Sequence, residues 1–81
     1  MTISAAKIDA RVADVTVSED RLDVRLRDGR VISAPLAWFP RLAQAPLEQR
    51  QVWETSAAGL GIHWPLIDED LSVEGLMRSS A

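Results

Sequence analysis

The sequence has no cysteine among its 81 residues. This absence excludes disulfide bonds, thiolate metal sites and cysteine nucleophiles, and it fits a reducing compartment, so we expect a cytoplasmic protein. Long apolar runs are also missing. The first residues, MTISAAKIDARV, lack the apolar segment of a signal peptide, and no stretch approaches the ~20 apolar residues of a membrane span. We therefore expect no contact with a membrane.

An excess of positive charge is absent too. The nine Lys and Arg residues are outnumbered by twelve Asp and Glu residues, for a formal net charge of −3. Long-range electrostatics therefore do not attract the chain to nucleic acid, and any such binding needs a local basic patch. With 47% hydrophobic residues, the chain has the composition and size of one globular domain. We expect a loose N-terminal arm over 1–10 and a single α+β domain over 11–81.

Alternating polar and apolar side chains open this domain. The segments VADVTVS at 12–18 and RLDVRLR at 21–27 alternate with a period of two, which is typical of half-buried strands. The dipeptide Asp28-Gly29 is a strong hairpin signal, because a type I′ turn needs positive φ at both central residues. The segment 30–34 then provides the return strand, so the sequence predicts a three-stranded antiparallel meander.

The strand register follows if Glu19-Asp20 and Asp28-Gly29 are both two-residue turns. All apolar partners then fall on one face, as a buried face requires. The predicted apolar pairs are Val17–Leu22, Val15–Val24, Ala13–Leu26 and Leu26–Val31. The pairs predicted on the other face are Asp14–Arg25, which is favourable, and Arg27–Arg30, which is unfavourable.

After the meander the period changes to that of helices. Pro40 is tolerable only in the first turn of a helix, and Pro46 suits the first position of the next one. Ser72 is a suitable N-cap for a last helix. The predicted elements are two short helices, a possible further strand and a short C-terminal helix, over 37–44, 46–52, 52–57 and 73–78. Together with the meander they define an α+β fold.

Several pieces of the sequence, together with the residues between them, resemble a known family. These pieces are DGR at 28–30, PLAWFPRL at 35–42, EQR at 48–50 and GIHWPLIDEDLSVEGL at 61–76. From about Leu22 to Met77 the chain is similar to the domain-of-unknown-function family numbered 2442, small bacterial and phage-associated proteins. It departs from the family at Ala37 and Ala45, where a Ser or Thr helix cap is usual.

The resemblance implies an α+β domain of the type found at the N-terminus of members that also carry a helix-turn-helix. No helix-turn-helix follows here, so we expect no direct reading of DNA by one. The resemblance also implies a partner, because such proteins are often encoded next to another small uncharacterised protein. An antitoxin-like or adaptor role is implied for such pairs.

The only histidine, His63, lies shortly before acids at 68–70. One interpretation is a metal site or a general acid–base site, because imidazole and carboxylates serve in both. A zinc site normally needs three or four converging ligands, and this spacing matches no such pattern. We prefer a structural interpretation, in which His63 bonds a backbone carbonyl and the acids cap the last helix or pair with Arg41 or Arg50. We expect no catalytic residue, metal or cofactor.

The predicted register places Arg25, Arg27 and Arg30 on one sheet face with Ile32 and with Arg21 nearby. One interpretation is a site for phosphate or for an acidic partner. The preferred interpretation is a solvated face that neighbouring aspartates neutralise. The opposition of Arg27 and Arg30 is the one feature that suits an external anion.

Three tryptophans and one phenylalanine are the aromatic residues of the chain. Buried Trp anchors dominate protein interfaces, but aromatic residues more often form the core. We expect Trp53 and Trp64 inside and at least one of Trp38 and Phe39 near the surface. The predicted partner-binding residues are Trp38, Phe39, Arg41, Arg50, His63 and Trp64.

These features favour a non-enzymatic module that binds another small protein, encoded nearby, through 35–53 and the 61–70 loop. Pairing with a second copy through an edge strand would give a homodimer. The alternative function is a nucleic-acid-associated regulator that uses the arginine face. A third hypothesis, an enzyme using His63 with Asp68 or Asp70, requires these groups to converge in a pocket.

Overall fold

The computed structural model describes residues 8–79, so most of the arm predicted over 1–10 lies outside the described residues. Two three-stranded antiparallel sheets, ordered β1-β2-β3 and β4-β5-β6, combine with short helices, which confirms the α+β class. The strands are β1 Val12–Val17, β2 Arg21–Leu26, β3 Val31–Pro35, β4 Glu54–Ser56, β5 Gly61–Trp64 and β6 Glu69–Ser72. The helices are α1 Pro40–Gln44, α2 Leu47–Arg50 and α3 Val73–Ser79, with 3-10 turns over Leu36–Trp38 and Ala57–Gly59.

The first hairpin has the predicted turn and most of the predicted register. The confirmed pairs are Val17–Leu22, Val15–Val24 and Asp14–Arg25. The prediction that Ala13 faces Leu26 is wrong, because Val12 lies opposite Leu26 and Ala13 is exposed. A β-bulge between Val12 and Asp14 adds one residue to β1, and the extra residue turns Val12 toward the core.

The second hairpin reverses over a longer turn than predicted. The Gly29 N–H donates to the Leu26 carbonyl at 3.0 Å, and the Leu26 N–H donates to the Arg30 carbonyl at 2.8 Å. Gly29 has a φ of 97°, a conformation that glycine adopts without a steric penalty. The reversal therefore takes three residues, a tight turn followed by a glycine bulge.

The added turn residue exchanges the two faces of β3. Ile32 is buried opposite Val24, whereas Val31 is exposed opposite Arg25. A shift of one residue has this effect because side chains alternate strictly along a strand. The predicted pairs Leu26–Val31 and Arg27–Arg30 are therefore wrong, and Ile32 does not share a face with the arginines.

The two middle helices are shorter than predicted. In place of one helix over 37–44, the first 3-10 turn precedes α1, which begins at Pro40. Proline fits this first position because its missing N–H would have no partner there. Pro46 precedes α2 as its N-cap. Within residues 8–79, no helix has both the length and the apolar character that a membrane crossing requires.

The second sheet contains one predicted strand and two that were not predicted. The possible strand over 52–57 is present as β4, and the His63–Trp64 segment is extended in β5. The acids at 68–70 were expected to cap or precede the last helix; they precede it, and Glu69 and Asp70 belong to β6, which pairs with β5. Ser72 ends this strand and caps α3 as predicted, since its hydroxyl accepts the Gly75 N–H at 2.9 Å.

One apolar cluster joins both sheets and α3. Leu22, Val24 and Leu26 of β2 are fully buried, as the alternation predicted. Ile62 and Trp64 of the second sheet belong to the same cluster. The core therefore buries one face of each sheet and leaves the opposite face of each for other roles.

Candidate functional site

Arg50 is buried, with only 8% of its surface exposed. Its guanidinium donates to three backbone carbonyls, those of Ala45 at 2.9 Å, Ser18 at 3.0 Å and Ala43 at 2.6 Å. These carbonyls belong to the end of α1 and to the first hairpin, so Arg50 ties the two together. The expected pairing of Arg50 with the acids at 68–70 is wrong. A side chain held in this way cannot reach a partner, which corrects its inclusion among the partner-binding residues.

Trp64 is fully buried and belongs to the core. Its indole N–H donates to the Arg50 carbonyl at 3.0 Å, as a buried tryptophan normally requires. It is therefore also removed from the predicted partner-binding set. Trp53, expected inside, is only partly buried and packs against the core cluster.

His63 lies in the middle of the second sheet, between Glu54 of β4 and Asp70 of β6. Its Nδ1 is 2.9 Å from Oδ1 of Asp70, and 29% of its side chain is exposed. His63 was expected to bond a backbone carbonyl; that expectation is wrong, because its partner is the Asp70 carboxylate. Within residues 8–79, no three histidine or acidic side chains come close enough together to hold a metal ion. The pair is therefore a polar patch on the open face of the sheet.

Trp38 is exposed over 49% of its surface, as expected for at least one of Trp38 and Phe39. It ends the first 3-10 turn, whose Leu36 N–H donates to the Asp20 carbonyl at 2.9 Å. The Phe39 N–H donates to the Leu36 carbonyl at 2.9 Å, and the Leu36 side chain is buried. A large aromatic side chain thus extends into solvent from a turn that is held by one hydrogen bond to Asp20 and by the buried Leu36 side chain.

Phe39 and Arg41 bring the segment with Trp38 against β6. Phe39 lines a cleft of about 250 Å³ together with Asp70 and part of α3. The Arg41 Nη1 donates to the backbone carbonyl of Asp68 at 3.0 Å. Arg41 therefore contacts the acidic segment through a backbone carbonyl, and the expectation of an ion pair with one of its carboxylates is wrong. These two contacts make the Trp38 segment and the start of β6 one continuous surface.

The three arginines predicted to share a face differ in their surroundings. Arg30 folds over the hairpin turn onto Asp28, with Nη2 2.8 Å from Oδ2. Arg25 lies on the exposed face opposite Asp14, and Arg27 is exposed. In the described part of the chain, Arg25 and Arg27 form no ion pair. Because Arg27 and Arg30 are not paired across the strands, the feature that suited an external anion is absent.

Two aspartates hold the end of the first sheet next to the Gly29 turn. Asp28 Oδ2 accepts the Asp9 N–H at 3.0 Å and the Arg30 Nε at 3.0 Å. The Arg30 side chain and N–H lower the pKa of Asp28 to about 2. The side chain and N–H of Arg11 likewise lower the pKa of Asp9 to about 2. Arg11 and Arg30 thus have internal counterions, and Asp9, within the predicted arm, is bonded to the hairpin.

Sequence reasoning missed β6 and the sheet edge that it presents. A weak signal exists, because Leu71 and Val73 alternate with Asp70 and Ser72. The stretch is only four residues long, and a run of acids reads equally well as a loop. Asp68, just before it, has a φ of 58°, a conformation that aspartate tolerates better than most residues and that closes the β5–β6 hairpin.

These features define a small α+β domain with two antiparallel sheets and an aromatic and polar surface beside the second of them. A family model described as Protein of unknown function (DUF2442) matches residues 12–81, and the chain belongs to this family. The resemblance seen in the sequence is confirmed. A crystal structure of a protein of unknown function from Rhodospirillum rubrum is similar, with 32% identity and a TM-score of 0.72. The alignment covers 85% of this chain and 86% of that one. A search of curated proteins found no match.

Proposed function

We propose that this chain is a non-enzymatic protein–protein interaction module whose partner is another small protein. The observation that carries the proposal is the continuous surface described above. Its proposed contact residues are Trp38, Phe39, Arg41 and His63. Arg50 and Trp64 are excluded because both are buried. We further propose that both proteins act in the cytoplasm and that the partner is encoded nearby.

The residue types of this surface support binding. Tryptophan and arginine dominate the energetics of protein interfaces, and such anchors are most effective when their backbone is already held. Trp38 satisfies this condition, because the turn that carries it is bonded to Asp20. The His63–Asp70 pair and Arg41 supply polar groups around the aromatic centre, which is the usual arrangement of an interface rim. An antitoxin-like or regulatory adaptor role would use this surface to mask or recruit the partner.

Co-expression with the product of the neighbouring gene, with a tag on one protein only, tests the proposal. We expect the two proteins to co-purify. The variant Trp38→Ala removes the exposed anchor, and loss of ~2 kcal/mol of binding energy weakens the affinity roughly 30-fold. The matched control is Val31→Ala, which truncates an exposed apolar residue of the first sheet.

Both variants are checked for unchanged thermal unfolding, since each alters an exposed side chain. Absence of co-purification by the unaltered chain would contradict the proposal. So would a Trp38→Ala variant that binds as tightly as the Val31→Ala control. Equal loss of binding in both variants would show that Trp38 contributes no more than a residue outside the proposed surface, and would also contradict the proposal.

A further inference from the structure

β6 is an edge strand of the second sheet, and no other strand in the described part of the chain pairs with its outer side. Residues of an antiparallel strand alternate between those that bond to the neighbour and those that point away from it. The Val73 N–H donates to the Leu60 carbonyl at 2.9 Å, so the backbone groups of Leu71 also face β5. Asp70 therefore directs its N–H and C=O groups outward and Ser72 its N–H, whereas the Ser72 carbonyl belongs to the first turn of α3.

Two backbone groups beside this edge already have side-chain partners. The Asp68 carbonyl accepts a hydrogen bond from the Arg41 side chain at 3.0 Å. Helix α1 therefore already contacts this side of the β5–β6 hairpin. The Asp70 N–H is bonded to the adjacent Glu69 carboxylate at 3.2 Å. This contact is long and exposed, and the carbonyl of an added strand could replace it at little cost. The backbone of Asp70 and Ser72 can therefore accept a further strand.

The cleft of about 250 Å³ lies along the same edge. Its apolar walls come from Phe39, Leu71 and Leu76. An added strand would direct every second side chain to the Leu71 side of the sheet and the others to the Asp70 side. The cleft thus offers a place for an apolar side chain of such a strand, next to Phe39, which is one of the proposed contact residues.

Charge selects the occupant of this edge. Asp68, Glu69 and Asp70 are consecutive acids; Asp70 contacts His63, and within residues 8–79 none of the three carboxylates forms an ion pair with an arginine. Two copies of β6 paired with each other would bring these acids together, and like charges opposed across strands destabilise a sheet. A basic segment would instead gain from them, so a second copy of this chain is disfavoured as the occupant.

We propose that β6 binds an extended segment of the partner protein as a fourth strand of the second sheet. The segment carries Lys or Arg at alternate positions, facing Asp70, with apolar residues between them, one of which enters the cleft. Main-chain hydrogen bonds to Asp70 and Ser72 provide the register, as in other cases of strand addition. This inference rests on the proposed function and deepens it by naming the chemistry of the partner segment.

A labelled full-length chain titrated with a synthetic ten-residue peptide that alternates lysine and valine tests the inference by NMR. At low salt we expect the Asp70 and Ser72 amide signals to shift and their hydrogen exchange to slow at least tenfold. Added salt should weaken the effect. The control peptide replaces each lysine with glutamate and should leave both amides unchanged.

Two variants of Asp70 alter this edge: the first removes its N–H together with its carboxylate, and the second reverses its charge but keeps the N–H. Asp70→Pro removes an outward N–H without breaking a bond to β5, and we expect at least tenfold weaker peptide binding. If this variant does not fold, Asp70→Lys provides the second readout, with the same expected loss through charge reversal. Unchanged amides, equal effects of both peptides, or wild-type binding by the folded variants would overturn the inference. A chain that binds its partner through Trp38 while the Asp70 and Ser72 amides stay unchanged would overturn this inference and leave the proposed function intact.

Discussion

The indole N–H of Trp64 donates to the backbone carbonyl of Arg50, whose own guanidinium spans three further carbonyls. This relay connects the second sheet, α2, the end of α1 and the first hairpin. The buried positive charge has no carboxylate beside it in the described part of the chain; carbonyl dipoles surround it. The carbonyls of Ala43 and Ala45 lie at the C-terminal end of α1, where a cation is favoured.

Arg50→Met should destabilise the fold strongly. The substitution leaves three carbonyls without their donor, at ~1–3 kcal/mol for each buried unsatisfied group, partly offset because no charge is buried. We expect the free energy of unfolding to fall by roughly 2–4 kcal/mol, measured by urea unfolding followed by tryptophan fluorescence. The control is Arg78→Met, which removes an exposed ion pair with Glu74 and should cost less than ~0.5 kcal/mol. Equal losses in the two variants would show that the Arg50 relay is not structural.

Gly29→Ala tests the three-residue turn between β2 and β3. Nothing lies within 4 Å of the position that an added Cβ would take, so the cost comes from the positive φ alone. We expect a loss of ~1–2 kcal/mol in thermal or urea unfolding. Gly29→Asn, a residue that tolerates positive φ, should lose less. Equal effects of Ala and Asn would argue against a positive φ at this position.

Asp28 should make stability depend on pH in the acid range. Arg30 holds its pKa at about 2 in the folded chain, below the ordinary 3.8. A lowered pKa means that the stabilisation is fully present above about pH 4 and is lost as the pH falls toward 2. Asp28→Asn should therefore unfold at a lower temperature than the unaltered chain at pH 7, with a difference that shrinks between pH 4 and pH 2. A melting-temperature difference that stays constant over this range would contradict the assignment, and Glu19→Gln at the exposed first turn provides the control.

The arginine surface should not bind nucleic acid. Arg25 and Arg27 are exposed, but Arg11 and Arg30 carry internal counterions and the chain has a net charge of −3. We expect no retention on heparin at low salt, and the same elution for Arg25→Ala combined with Arg27→Ala. Retention that weakens steeply with salt and disappears in the double variant would favour the alternative function, a nucleic-acid-associated regulator.

The strands of the first sheet were predictable because local alternation and burial agree. The periodic positions of β2 are all buried, and the first turn has the predicted length. The errors arise where one extra residue enters a strand or turn. Neither the bulge near Ala13 nor the glycine bulge at Gly29 changes the composition, yet each moves side chains to the opposite face.

The candidate surface was only partly predictable for a related reason. At least one of Trp38 and Phe39 was expected near the surface; the exposure of Trp38 agrees with that, whereas Phe39 is partly buried against the core. Arg50 and Trp64 carry the same residue types that interfaces favour, but the fold buries both. No local pattern distinguishes an arginine that meets solvent from one that meets three carbonyls contributed by distant residues.

By itself, the sequence determined the α+β class, the first hairpin, the Ser72 cap and the family, because these depend on residues close together in the chain. Only the tertiary structure decided which face of β3 is buried, what Arg50 bonds, and that an acidic edge strand lies beside Phe39. Those outcomes depend on hydrogen bonds and packing between residues far apart in sequence. A shift of a single residue in the register exchanges the buried and exposed faces of a strand, and short-range sequence patterns do not show which distant residue a side chain contacts.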